Sequence, residues 1–125
     1  MARIIVQDSD QDILDIISIA LELEGYTLFT VLGYNTDFIE MIEKFKPHVV
    51  MLDYGLAEQE CILICRSIKA VYPDLPVIVL SCNSQIAEIY LKIGFDDYIA
   101  KPFDLEQLFY TLRKHIPESR SLFVA

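Results

Sequence analysis

Short apolar runs of strand length alternate with amphipathic runs of helical length along the whole chain. RIIVQ, TLFTV, HVVML, PVIVLS and DDYIA are the short runs, and most are rich in β-branched or aromatic residues. DILDIISIALELEG, NTDFIEMIEKFK, CILICRSIKAVY and SQIAEIYLKIG lie between them, and DLEQLFYTLRKHI follows the last. In the first helical run Ile13, Ile17 and Ala20 share one face, while Asp15, Ser18 and Glu22 share the opposite one. Ile19 falls on the polar side, between Asp12 and Asp15. Gly25 and Gly94 fit helix C-terminal positions, Pro47 and Pro73 mark stops, and Asp104 stands near the start of the last helix. Five repeats of strand followed by helix predict an α/β domain, a parallel sheet with helices on both faces.

In such sheets ligands bind beyond the carboxyl ends of the strands, where the strand order reverses. Asp8 follows the first strand, Asp53 closes HVVMLD, Ser81 closes PVIVLS, and Lys101 follows DDYIA. The pattern predicts that all four converge on one rim, where carboxylates, a hydroxyl and an ammonium make a phosphoryl-transfer site. The segment IIVQDSDQDILDI also crowds Asp8, Asp10 and Asp12 together. Such repulsion makes sense where a cation or a reacting phosphoryl group sits, although Asp10 or Asp12 also reads as a cap for the next helix. Taken singly, Asp53 reads equally as a turn residue, Ser81 as a helix cap and Lys101 as a solvated charge. Their coincidence at successive strand ends is what argues for a site.

Composition narrows the picture. The chain has 125 residues, enough for one domain over residues 1–116, with PESRSLFVA at 117–125 as a short tail or linker. A hydrophobic content of 54% argues against disorder, and a net charge of −9 disfavours contact with nucleic acid or an anionic membrane. No apolar run approaches a membrane span and MARIIV lacks a signal-peptide layout, so a cytoplasmic location is expected. Cys61, Cys65 and Cys82 read as reduced, buried small hydrophobes, and with His48 and His115 far apart in the chain a zinc site is not expected.

With these residues in view, the sequence resembles the receiver domain of bacterial response regulators, over essentially the whole chain to about Ile116. Its landmarks are the acidic cluster after the first strand, MLDYGL around Asp53, IVLSC around Ser81 and YIAKPF around Lys101. The resemblance implies a flavodoxin-like, doubly wound sheet of five parallel strands in the order 2-1-3-4-5. It implies that Asp53 is the phosphoacceptor, served by a sensor histidine kinase or a phosphotransfer protein. Weakly bound Mg²⁺ would be held by Asp8, Asp53 and the Gly55 carbonyl. Ser81 and Lys101 would bind the phosphoryl group, the Lys101–Pro102 peptide would be cis, and Tyr98 would turn inward when Ser81 moves. Ile16 and Phe103 would lie where the kinase docks. The phosphorylated surface would serve a downstream target or output domain, or a homodimer through the fourth helix, fifth strand and fifth helix. Such a domain is a signalling switch that promotes only its own phosphoryl transfer and dephosphorylation.

The chain departs from that pattern twice. Aligned without gaps to Gly25, Ser9 stands where the family carries the second acid of a metal-binding pair, and Gln7 occupies a strand position that is usually apolar. A one-residue insertion would instead pair Gln7 and Asp8 with the two acids; either way one acidic ligand is missing. After Asp53, Ala57 replaces a usual proline, and Cys61 stands where glycine is usual. The fold should survive both, while metal-dependent phosphorylation is what they bear on. The first alternative is therefore a pseudo-receiver, a protein-binding module that is not phosphorylated. A haloacid-dehalogenase-type phosphatase also fits Asp8-Ser9-Asp10, but its paired acids would follow the lysine, whereas Asp96 and Asp97 precede Lys101. A flavodoxin-type flavin module would need hydroxyl and amide donors where this chain is anionic.

Overall fold

A computed structural model describes residues 2–55 and 57–116; the proposed tail at 117–125 lies outside the described residues. Strands β1 (Arg3–Asp8), β2 (Thr27–Leu32), β3 (Val49–Asp53), β4 (Val77–Ser81) and β5 (Asp97–Ala100) alternate with helices α1 (Gln11–Leu23), α2 (Phe38–Phe45), α3 (Glu58–Val71), α4 (Ile86–Ile93) and α5 (Leu105–His115). All neighbouring strands pair in parallel, in the order β2-β1-β3-β4-β5, as the repeat and the family resemblance implied.

The pleat of the sheet sends alternate residues to opposite faces, and each face has its own core. Ile4, Val6, Met51, Ile78 and Leu80 pack with Leu14, Ile17 and Leu21 of α1 and Leu108 and Leu112 of α5. On the other face Ile5, Val50, Leu52, Val77 and Val79 pack with side chains of α2, α3 and α4, among them Phe38, Ile42, Cys65, Ile68 and Ile86. Covered on both sides, β3 and β4 are buried at every position, which is why their sequences read as unbroken apolar runs. Each such aliphatic side chain contributes roughly 1.5–3 kcal/mol by leaving water. β2 lies at an edge, and it alone is mostly exposed.

Helix ends explain most differences from the expected spans. Asp10 caps α1 by accepting the Asp12 N–H at 2.9 Å, and Asp104 caps α5 through the Gln107 N–H at 2.7 Å. Asp37 caps α2, so that helix starts at Phe38 rather than at Asn35. α2 closes on Lys46 in the left-handed region, just before Pro47, and α4 closes on Gly94 at φ 114°. α3 begins at Glu58, three residues before the expected Cys61, because Glu58 and Glu60 sit favourably in the first turn of a helix. Ala57 precedes it without a side-chain cap. Cys61 and Cys65 are fully buried, but Cys82 is exposed, against the expectation for all three. It lies beyond the end of β4, where the chain leaves the core.

Topology fixes where a site can form. The chain passes from β1 outward to β2 and then back across β1 to β3, so the order reverses between β1 and β3. The β1–β3 ladder stops at Val6 and Met51, and beyond it the ends of the two strands carry Asp8 and Asp53 to the rim.

Candidate functional site

Asp8, Ser9, Asp53, Gly55, Ser81 and Lys101 line one open cleft of about 600 Å³ at the C-terminal ends of β1, β3, β4 and β5. Asp10, Tyr54, Glu58, Cys82 and Asn83 also line it. Lys101 is its centre. Its ammonium lies 2.9 Å from Asp8 Oδ2 and 3.0 Å from Asp53 Oδ1, and all three side chains are largely removed from water. The other Asp8 oxygen accepts the Asp10 N–H at 3.0 Å, which folds the acidic loop back on its own strand.

One cation shared by two carboxylates leaves a net negative charge in a half-dry cleft. The titrations reflect this. Burial raises the Asp53 pKa, Lys101 and the Ser9 N–H pull it down, and the neighbouring Asp8 charge pushes it up again, so it stays above the ordinary carboxylate value. For Lys101 burial works against the charge, but its hydrogen bonds to Asp8 and Asp53 outweigh it and hold the ammonium above the usual lysine value. The ammonium is therefore a fixed cation beside a carboxylate that carries its charge reluctantly.

Ser81 is buried, and its Oγ accepts the Asn83 N–H at 2.9 Å, so its hydroxyl hydrogen remains to be given elsewhere. The Lys101 N–H donates to the Ser81 carbonyl at 2.8 Å, joining the ends of β4 and β5, and the Lys101–Pro102 peptide is cis. A Cβ on Gly55 would stand 2.8 Å from Asp53 Oδ2, so glycine leaves that flank of the carboxylate uncovered. Tyr98 is half-buried on β5, and its ring lies 5.0 Å from that of Tyr90 on α4. Ile16 is 55% exposed on α1, and Phe103 is partly buried against the α1–α5 core.

Two residues hold the Asp53 backbone in ways the sequence did not indicate: Gln7, weighed there only as a stand-in for an acidic metal ligand, and Tyr34. Gln7, fully buried in β1, accepts the Asp53 N–H at 2.9 Å through Oε1. Tyr34, in the bend after β2, donates its hydroxyl to the Asp53 carbonyl. The only signal in the sequence was a polar residue in an apolar strand; nothing marked Tyr34. Gln7 thus turns its amide to the Asp53 backbone, while Ser9 lines the cleft.

The donor set suits a hard divalent cation. The Asp8 and Asp53 carboxylates share the cleft with Ser9 and Gly55, residues that offer a cation only hard oxygen donors. Among the described residues, however, no group of three His, Cys, Asp or Glu side chains is placed to hold a metal, so any ion here rests on fewer charges than a fully acidic site. Likewise, no described helix is long and apolar enough to cross a membrane.

Comparison with known proteins agrees with this geometry. A family model described as the response regulator receiver domain matches residues 4–113. A response regulator receiver domain protein from Clostridium thermocellum superposes with a TM-score of 0.81 at 24% identity, covering 100% of each chain. TrrA of Thermotoga maritima, solved with Mg²⁺ and BeF, gives 0.80 at 22% identity over 93% of this chain and 100% of its own. NtrX of Brucella abortus, in complex with ADP, gives 0.80 at 29% identity over 92% of this chain. The chain spans only 26% of that NtrX chain.

Proposed function

The chain belongs to the response regulator receiver domain family, and from that premise we propose that Asp53 accepts a phosphoryl group from a histidine kinase or phosphotransfer protein. The observation that carries this reading is the single ammonium of Lys101 held between Asp8 and Asp53 at the strand-order reversal. An Asp53 oxygen attacks phosphorus, the O–P bond forms as the donor's P–N bond breaks, and the displaced imidazole takes a proton. Lys101 then exchanges part of its carboxylate contact for a phosphoryl oxygen, which needs no large movement because it already lies 3.0 Å from Asp53. Ser81 donates its free hydroxyl hydrogen to another phosphoryl oxygen. Asp8, Asp53, the Gly55 carbonyl and, in place of an acid, the Ser9 hydroxyl are the groups that would hold Mg²⁺. When bound, that ion supplies charge neutralisation for phosphoryl oxygens.

The acyl phosphate would act by population shift. Drawing Ser81 toward the phosphoryl group breaks its bond to the Asn83 N–H at the approach to α4, and Tyr98, whose ring contacts that of Tyr90 on the same helix, follows. The face formed by α4, β5 and α5 is suited to report this change, since Leu91, Leu105 and Tyr110 expose apolar surface there for a target or a second copy. Exposed Ile16, with Phe103 near the end of β5, is the proposed kinase-docking region.

A pseudo-receiver that binds a partner without phosphorylation is the second reading, favoured by Ser9 in the cleft and by a cation that already serves both carboxylates. Intact-mass spectrometry after treatment with acetyl phosphate and Mg²⁺ decides between them. The wild type should gain one phosphoryl group and Asp53→Ala none; an unmodified wild type selects the second reading.

A further inference from the structure

Asp53 is held by more than its carboxylate. Tyr54 sends its N–H to Leu80 on the β4 side, so the peptide group before it faces β1. There the backbone ladder has already ended, at Val6 and Met51, and no β1 main-chain partner is in register. The Gln7 side chain fills that gap by accepting the Asp53 N–H, and the Tyr34 hydroxyl takes up the Asp53 carbonyl. Both polar groups of one residue are thus tied by side chains, one from β1 and one from the β2–α2 connection.

The arrangement has a cost that packing alone would not select. Gln7 is fully buried, and its Nε2 has no hydrogen-bond partner among the described residues. An apolar residue there would bury no orphaned donor.

We infer that Gln7 and Tyr34 are positioning residues for phosphoryl transfer, clamping the Asp53 peptide so that its carboxylate meets phosphorus in line. The inference rests on the phosphoacceptor reading above. Fixing the peptide fixes the direction of the Asp53 Cα–Cβ bond, and small misplacements of a nucleophile are expensive in rate. The clamp holds the backbone of Asp53 and touches neither the donor nor Lys101, so its effect on the chemical step is read with Mg²⁺ and donor both saturating.

The test uses the full chain with acetyl phosphate as donor and Mg²⁺, comparing wild type with Gln7→Met, Tyr34→Phe and the double variant. Each single variant should lower the phosphorylation rate at saturating donor and Mg²⁺ by about tenfold, with the half-saturating donor concentration unchanged. The double variant should be no slower than the slower single one, because both hold the backbone of one residue. Tyr34→Phe keeps the test sharp if Gln7→Met folds poorly, since it removes one oxygen only. Wild-type rates in both single variants overturn the inference, and so does a loss confined to donor or Mg²⁺ affinity. A wild type that takes no phosphoryl group at all overturns the phosphoacceptor reading, and this inference with it.

Discussion

Asp53 ends β3 at the C-terminal rim of the sheet, and Asp97 opens β5 at the opposite edge. They are alike in burial, at 4% and 7% exposure, and each meets a lysine at 3.0 Å. Their titrations nonetheless move in opposite directions. Asp53 lies above the ordinary carboxylate value, because burial and Asp8 outweigh a shared Lys101. At Asp97 burial also raises the pKa, but His115, Lys114 and the Tyr98 N–H outweigh it and hold the carboxyl below that value. Asp97 has three donors, with His115 Nε2 at 2.8 Å and the Tyr98 N–H at 2.8 Å beside the lysine. The difference fits a structural acid at Asp97 and the proposed phosphoacceptor at Asp53: full satisfaction fixes α5 onto β5, whereas partial satisfaction leaves a carboxylate ready to take another partner.

Removing each charge should break that symmetry. Asp97→Ala leaves the His115 and Lys114 donors at the end of α5 without their acceptor, and we expect a loss of about 2–3 kcal/mol in folding stability by urea unfolding. Phosphorylation of Asp53 should survive it under native conditions, because the two residues lie at opposite ends of the sheet. Equal stability of this variant and wild type would mean that the pairing holds nothing together. Asp53→Asn should act in the opposite sense and raise stability by about 1 kcal/mol at neutral pH, since it removes a buried charge that Asp8 repels. A loss there would show that Lys101 stabilises Asp53 more than burial and Asp8 oppose it.

Acid titration separates the two without changing their surroundings. The folded-state pKa of Asp97 is depressed, so its contribution is present above the unfolded-state value and is lost as the pH falls through the folded one. The stability gap between wild type and Asp97→Ala should therefore close only below about pH 4, the ordinary range for an unfolded aspartate. For Asp53 the folded value is raised, so on acidification the native state takes up this proton before the unfolded chain does. Its penalty should be relieved as the pH falls through that raised value, and the advantage of Asp53→Asn should shrink at a higher pH than the Asp97 gap. Urea unfolding at a series of pH values reads both; gaps closing in the reverse order would invert the assignment.

The sequence carried most of this architecture and half of the electrostatics. Apolar runs and helical patterns are local, so five strand–helix repeats and the cap at Asp104 could be read directly, while the α1 cap was left between Asp10 and Asp12. Strand-terminal placement of Asp8, Asp53, Ser81 and Lys101 follows from topology once the repeats are known. What could not be read depends on side-chain reach across the sheet. Gln7 reaches Asp53 across 46 positions, and Tyr34 reaches it across 19, with no periodicity to announce either. Asp97 and His115 looked like a strand start and a helix end, and only packing of α5 on β5 shows that they meet. Exposure of Cys82 was missed for a similar reason: its apolar neighbours are strand residues, while it lies just beyond the strand.

The smallest expected effect concerns Ser9, and it sharpens the contrast by making the rim more acidic still. Ser9 is exposed at the mouth of the cleft, beside Asp8 and Asp53. As a neutral oxygen it adds no charge to a cation site that has two carboxylates. Ser9→Asp adds one, and charge count tunes affinity at oxygen-ligand sites, so Mg²⁺ should bind several-fold tighter. Without the ion the new carboxylate repels its neighbours, and because the position is exposed the cost in stability should be no more than about 0.5 kcal/mol. Tighter binding to the folded state alone then means that Mg²⁺ raises the melting temperature more in the variant than in the wild type. Mg²⁺ titration and paired melting curves check the two halves separately. Unchanged affinity in Ser9→Asp would point instead to the insertion alignment, with Gln7→Asp as the variant that gains metal. The burial of Gln7 and its bond to the Asp53 N–H argue against that outcome, because a carboxylate there would face the backbone rather than the cleft.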